Sequence, residues 1–154
     1  MSKNLQPETY TIDKAIEALV NSLPDLKVRW DKYLQKTYNN YQQERLDYVD
    51  IGEISSHLYE RIISRRMDDF DNFFDTLELI LIRCSDETEN LIVVGLIESL
   101  QNRCGSEINY YTGFDNWLKP TTKKKWDNVI SFWEGNDAIE NYKAQHPNDV
   151  RLIR

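Results

Sequence analysis

The sequence predicts an all-α protein, and three observations carry that reading. Apolar residues recur at three- and four-residue steps through most of the chain, as one face of a helix requires. Alternating apolar and polar runs are scarce, and hairpin-turn dipeptides are missing between the periodic segments. Proline and glycine stand where helices would start and stop. A chain of 154 residues suits one domain with a real core. Six to seven helices in antiparallel pairs are expected over residues 1–154, arranged like a short irregular helical repeat, although no clear period is present. Residues 1–10 and 147–154 are expected to be loose.

Thr11 is a plausible cap for a first helix whose inner stripe is Ile12, Ile16, Leu19, Val20 and Leu23. Pro24 suits the first turn of a second helix, with Leu26, Trp30, Tyr33, Leu34, Thr37 and Tyr41 on one side. Asn39-Asn40 and Gln42-Gln43 soften its end, and a loop is expected up to Asp50. A third helix runs to about Arg66, with Ile51, Ile54, Leu58, Ile62 and Met67 inward. Arg61, Arg65 and Arg66 are expected to face water at its C-terminal end, where the helix dipole favours cations.

The spine is the stretch Phe70–Cys104, read as two apolar helices folding back on each other. Phe70, Phe73, Phe74, Leu77, Ile80, Leu81 and Cys84 share one face of the first arm. Leu91, Ile92, Val93, Val94, Leu96, Ile97 and Leu100 nearly surround the second, which marks it as buried. Ser85 or Asp86 can cap the second arm, and Glu89 completes a capping-box pattern with Asp86. Gly105 is its stop. The following segment, SEINYYTGFDNWL, reads as an aromatic loop with about one helical turn. Pro120 then opens a helix whose buried side is Trp126, Val129, Ile130 and Trp133, and Gly135 ends it. Asp137 to Gln145 gives a short last helix.

The net charge is −7, and residues 51–118 alone carry 5 basic and 13 acidic side chains, a net of −8. Such a surface repels nucleic acid and anionic lipid and attracts a basic partner. Apolar runs fall well short of membrane length. The start of the chain lacks a hydrophobic signal segment, so a cytoplasmic location is expected. On a helical hairpin Cys84 and Cys104 would lie on the order of 27 Å apart, too far for a disulfide.

Catalytic constellations are thin. His57 and His146 have no partner at metal spacing, and Cys84 and Cys104 read as small buried hydrophobes. No cofactor, metal or small-molecule substrate is expected, and the chain does not read as an enzyme. Glu98, on the most apolar helix, needs a partner; an arginine or tyrosine hydroxyl suits it better than catalysis alongside a histidine. Lys123-Lys124-Lys125 lies beside Trp117 and Trp126, a pattern that can hold a nucleic-acid strand. It reads instead as the solvated side of a helix whose tryptophans face inward.

The sharper feature is acidic. Asp68, Asp71, Asp75 and Glu78 step by three, four and three, forming one carboxylate stripe about 100 degrees around from the core stripe. Two readings are open. These residues favour a helix N-terminus or pair with neighbouring arginines, or they form a docking face for a basic protein. Asp86, Glu87 and Glu89 extend that face or are ordinary first-turn residues. Tyr110, Tyr111 and Trp117, as loop aromatics, are further interface candidates.

One resemblance bears on the task. The run Gly95-Leu96-Ile97-Glu98-Ser99-Leu100-Gln101-Asn102 precedes Phe114-Asp115-Asn116-Trp117-Leu118-Lys119-Pro120-Thr121, then Trp126 and Phe132-Trp133-Glu134-Gly135. Over roughly residues 68–136 this is similar to small helical bacterial immunity proteins of polymorphic toxin systems, including contact-dependent growth inhibition. The resemblance implies an antidote that binds a cognate protein toxin domain, commonly a nuclease, and covers its active site or substrate surface. A helical adaptor with a peptide groove is the alternative expectation.

Overall fold

A computed structural model describes residues 9–38 and 44–149. The elements are α1 (Ile12–Asn21), α2 (Pro24–Thr37), α3 (Asp47–Asp50), α4 (Gly52–Ile63), α5 (Phe70–Arg83), α6 (Asp86–Asn90), a π-helical stretch (Leu91–Glu98), α7 (Ser99–Cys104), α8 (Pro120–Glu134) and α9 (Ala138–Gln145). With α3 and α4 taken together, and α6 to α7 as one rod, these make seven helices. The only strand-like pairing among the described residues is an isolated bridge between Tyr10 and Cys84. The fold class is therefore all-α. Asn39-Asn40, Tyr41 and Gln42-Gln43 lie outside the described residues, as do residues 1–8 and 150–154.

Local chemistry sets most boundaries. Thr11 caps α1 by accepting from the Lys14 N–H at 3.3 Å, and Pro24 opens α2 at a position where its missing N–H costs nothing. Ser85, not Asp86, caps the long rod: its hydroxyl accepts from the Thr88 N–H at 3.2 Å. Asp86 is then the first helical residue, and the capping-box pairing with Glu89 does not form; Glu89 meets Lys125 at 3.2 Å instead. Gly105 and Gly135 close their helices with φ of 52° and 101°, values that side chains resist.

One core threads α1, α2, α4, α5, the long rod and α8. The two arms of the expected hairpin are not each other's main neighbours. α5 packs chiefly on α8 and α1, whereas the rod packs on α4 and α8. α8 is thus the shared partner that both arms flank. The rod is also wound wider than expected, as a π-helix through its most apolar stretch. There Gly95 meets the side chain of Ile51: a Cβ built on it would lie 2.5 Å from Ile51 Cγ2. Gly95→Ala should cost about 1–3 kcal/mol by overpacking, read as a lower midpoint in urea unfolding, despite alanine's better helix propensity.

Other expectations are corrected. The loop before Asp50 holds the short helix α3. Tyr10, placed in a loose leader, is tied down: its N–H donates to Arg83 O at 2.9 Å and its carbonyl accepts from Ser85 N at 3.3 Å. Val94 is exposed, and so is Trp133, because the last turn of α8 runs past the edge of the core. Arg61, expected in water, is only 2% exposed.

Candidate functional site: an acidic groove at the start of α5

Arg61 organises the region where the sequence placed its acidic stripe. On α4 it stands three residues after Leu58 and seven after Ile54, so helical geometry turns it inward with them. Its five donors form a rigid fork. Nε donates to Arg66 O at 2.7 Å and Nη1 to Asp25 Oδ1 at 2.9 Å. Nη2 donates to the Asp68 carbonyl and lies 3.1 Å from the Asp68 carboxylate. The guanidinium also stands over the Phe70 ring, 5.4 Å from its centroid. One side chain thus ties α2 to α4 and satisfies carbonyls in the turn that leads to α5. That turn carries two residues with left-handed backbone, Arg65 (φ 59°) and Asp69 (φ 65°). A tight anchor keeps such a turn in one shape.

The anchored turn forms one wall of a shallow, open groove of about 630 Å³ lined by Met67, Asp68, Asp71, Asn116 and Trp117. Trp117 is held from behind by an edge-on contact with Phe70, ring centroids 5.5 Å apart. The loop that carries it is fixed by buried Phe114 and by the Trp126 indole, which donates to Tyr110 O at 2.8 Å. The groove therefore combines two carboxylates with an indole on a rigid base.

The expected stripe does not stay one open face. Glu78 is committed to structure: it accepts from Thr121 N at 2.9 Å, Thr122 N at 2.8 Å and Thr122 Oγ1 at 2.8 Å, and so caps α8, whose own N-cap Lys119 supplies no side-chain bond. Burial pushes its pKa up, but those donors outweigh burial and leave it below its ordinary value. Asp75 lies 3.4 Å from Lys119 Nζ, an exposed pair worth little. Asp68 shares its charge with Arg61. Asp71, exposed, has no ion-pair partner among the described residues. Asp86 and Glu87 are exposed at the start of the rod.

Tyr110 and Tyr111 are only partly exposed and serve packing. Their rings stack with centroids 4.4 Å apart, Tyr111 stacks on Tyr142 and Tyr142 on His146. Both hydroxyls donate to Glu134. Burial, and then the Glu134 carboxylate, raise the pKa of both phenols. The column fastens α9 to α8 and the loop.

Burial raises the pKa of Cys84, and that of Cys104 is pushed up to about 12, so both thiols stay protonated near neutrality. Glu98 accepts from the Trp133 indole at 3.1 Å, while His57 faces Asp25, so the two do not share a site. Lys123 bridges Asp115 and Asp127, each at 2.9 Å, and Lys125 meets Glu89, which leaves Lys124 exposed. No cluster of three histidine, cysteine or carboxylate side chains able to hold a metal occurs among the described residues. No helix there is long and apolar enough to cross a membrane.

Sequence reasoning missed the buried polar layer around Arg61. His57 is 7% exposed, and its Nε2 lies 3.2 Å from Asp25 Oδ2 without pointing its N–H at it, leaving that nitrogen without a hydrogen-bond partner. Burial lowers the imidazole pKa below 6.5; Asp25 pulls it upward, while Arg29 and Arg61 push it down. A depressed pKa means the unfolded chain binds the proton more readily. Stability should therefore fall as pH drops through 6.5 towards the native value. His57→Gln should flatten that part of a stability–pH curve measured by urea unfolding. Asp25 is also held below its ordinary value: burial raises it, but His57 and Arg61 outweigh that. Its contribution is lost only at pH below 3.8.

A second missed layer surrounds Asp50, which is 0% exposed. Its carboxylate accepts from Tyr33 at 2.7 Å, from Tyr38 at 2.8 and 2.9 Å, and from Arg45 at 3.3 Å. Burial and the Asp50 charge push the Tyr33 phenol up to about 12. Tyr33 and Tyr38 thus satisfy a buried acid.

No curated protein and no solved structure matches the chain. A family model described as a domain of unknown function, DUF7674, matches residues 16–134. That range runs from α1 to the last residue of α8, takes in the Arg61 anchor and the groove, and leaves out α9. The chain belongs to the DUF7674 family.

Proposed function

We propose that this chain is an immunity-type binding protein that neutralises a basic toxin domain, a nuclease in the class implied by the resemblance over residues 68–136. The observation that carries the reading is the groove in which Asp68, Asp71 and Trp117 converge on a turn anchored by Arg61. Carboxylates beside an indole suit a lysine or arginine of a partner, by charge and by cation–π attraction. The surrounding excess of acid steers such a partner in and repels nucleic acid. The role is non-enzymatic, needs no cofactor, and implies a cytoplasmic location where the toxin acts.

The test is co-expression with a toxin domain encoded by a neighbouring reading frame, scoring growth. Protection and a one-to-one complex are expected; failure of both removes the reading. Within the complex, Asp71→Lys with Asp75→Lys should slow association at low salt by about tenfold or more, with much less effect at high salt. Stopped-flow binding reads this directly. Unchanged rates would move the docking face elsewhere.

A second reading, the helical adaptor, is favoured by a separate groove of about 600 Å³ between α1 and α2. Ile16, Val20, Trp30 and Leu34 line it, with Asp13, Glu17, Lys27 and Arg45 among its charged residues. Ile16, Val20 and Trp30 are each at most 6% exposed, so a peptide helix would meet mainly Leu34 and the charged rim there.

A further inference from the structure

The last turn of α8 carries Phe132, 78% exposed, and Trp133, 65% exposed. Their rings pack edge to face, 5.1 Å between centroids. The inner side of α8 is already filled by Trp126, Val129 and Ile130, so these two rings are not needed to cover the core. They are also not loose. The Trp133 indole donates to Glu98 Oε2 at 3.1 Å, which fixes the ring against the π-helical stretch. Exposed Val94 lies about one turn before Glu98 on that stretch. Large aromatic rings held rigid at a surface mark interfaces, because they bury much area on binding and lose little conformational freedom.

The charges around the pair select the occupant. Glu98 touches Trp133, and Glu134 follows it. No basic residue stands in the last turn of α8, so the negative end of the helix dipole is not offset there. A second copy of this chain would bring like charge against like, and an anionic lipid surface would be repelled. We infer that Phe132 and Trp133 are the apolar anchor for a basic protein partner, which seats an apolar group against the rings while its lysines or arginines meet Glu98 and the end of α8. The inference rests on the proposed basic partner and adds a second contact point, on α8, to the groove at α5.

The experiment uses the full chain labelled with ¹⁵N at its tryptophan indoles. The probe is a defined helical peptide of leucine and arginine, with an acidic twin of leucine and glutamate. The expected result is a saturable shift of the Trp133 indole resonance with the basic peptide alone, weakened at least tenfold in Phe132→Ala and in Glu98→Lys. Phe132 is exposed and Glu98 half-buried, and unchanged Trp126 and Trp30 resonances verify the fold in both variants. A shift at Trp117 without one at Trp133 would overturn the anchor and leave the acidic groove standing. Silence at both would remove the anchor and weaken the basic-partner reading with it. Equal shifts with the acidic twin, or a dimer in light scattering that Trp133→Ala abolishes, would overturn the choice of partner.

Discussion

Arg61→Leu is expected to lower the stability of the protein by about 3–5 kcal/mol, a large share of the 5–15 kcal/mol typical of a whole domain. Asp25 and Asp68 keep partial access to water, so the ion pairs themselves supply little of this. Most of the loss comes from the carbonyls of Arg66 and Asp68, which lose their donor, at about 1–3 kcal/mol each where water does not replace it. The lost contact with Phe70 adds to it. For a chain of this size the melting temperature should drop by roughly 8–15 °C. Arg61→Lys keeps the charge but not the fork, and should fall between wild type and leucine. Because the same side chain anchors the turn bearing Asp68, the leucine variant should also bind a basic partner more weakly at temperatures where it remains folded. Urea melts of the three proteins check the ordering; a loss under about 1 kcal/mol for leucine would show that water takes over the donors.

Trp126→Ala is expected to cost about 3–5 kcal/mol as well, through the volume removed. Trp126 is among the largest fully enclosed side chains, with Phe114 packed against it at 4.6 Å between centroids. Trp126→Phe should cost less. It keeps much of the packing and loses the indole bond to Tyr110 O, worth about 1 kcal/mol. The functional consequence lies in the loop that follows α7. That bond helps hold the segment in which Asn116 and Trp117 form the far wall of the groove, so the phenylalanine variant should bind a basic partner less tightly while staying folded. Thermal unfolding and titration of the same samples separate the two effects.

The fold was legible because its main signals are repetitive. Stripes such as Ile16, Leu19, Val20 and Phe70, Phe74, Leu77 are sampled several times per helix, so one odd residue does not erase them. Caps and stops at Thr11, Pro24, Gly105 and Gly135 were legible for the same local reason. Single positions were harder. Arg61 sits on an inward stripe by spacing, but its residue type argued for water. The deciding partners, Asp25 and the carbonyls of Arg66 and Asp68, come from another helix and a later turn. Trp133 fails in the opposite sense: its spacing and its type both pointed inward, yet the core ends before it. Glu78 was read with its own helix, whereas its function is fixed by the start of α8, 43 residues on. The pairing of α5 with α8 was invisible because periodicity tells which face is apolar, not which helix covers it. Of the expected site, Asp71 and Asp75 share the helix face that their spacing predicted, but Asp68 does not belong to it. α5 begins at Phe70, and Asp68 stands in the preceding turn, beyond left-handed Asp69, where the bend rather than a helical step brings it to the groove. The meeting of Asp68 and Asp71 with Trp117 was not readable, since it depends on how the loop returns over Phe70.

A basic protein docking over the acidic turn at the start of α5 is the central proposal. Hydrogen–deuterium exchange of the chain, alone and with the toxin domain proposed as its partner, tests this most directly. Slowed exchange is expected across residues 66–72 and 115–119, with a second patch at 130–134. Protection confined to α1 and α2, with the acidic turn unchanged, would contradict it and favour the peptide-groove reading.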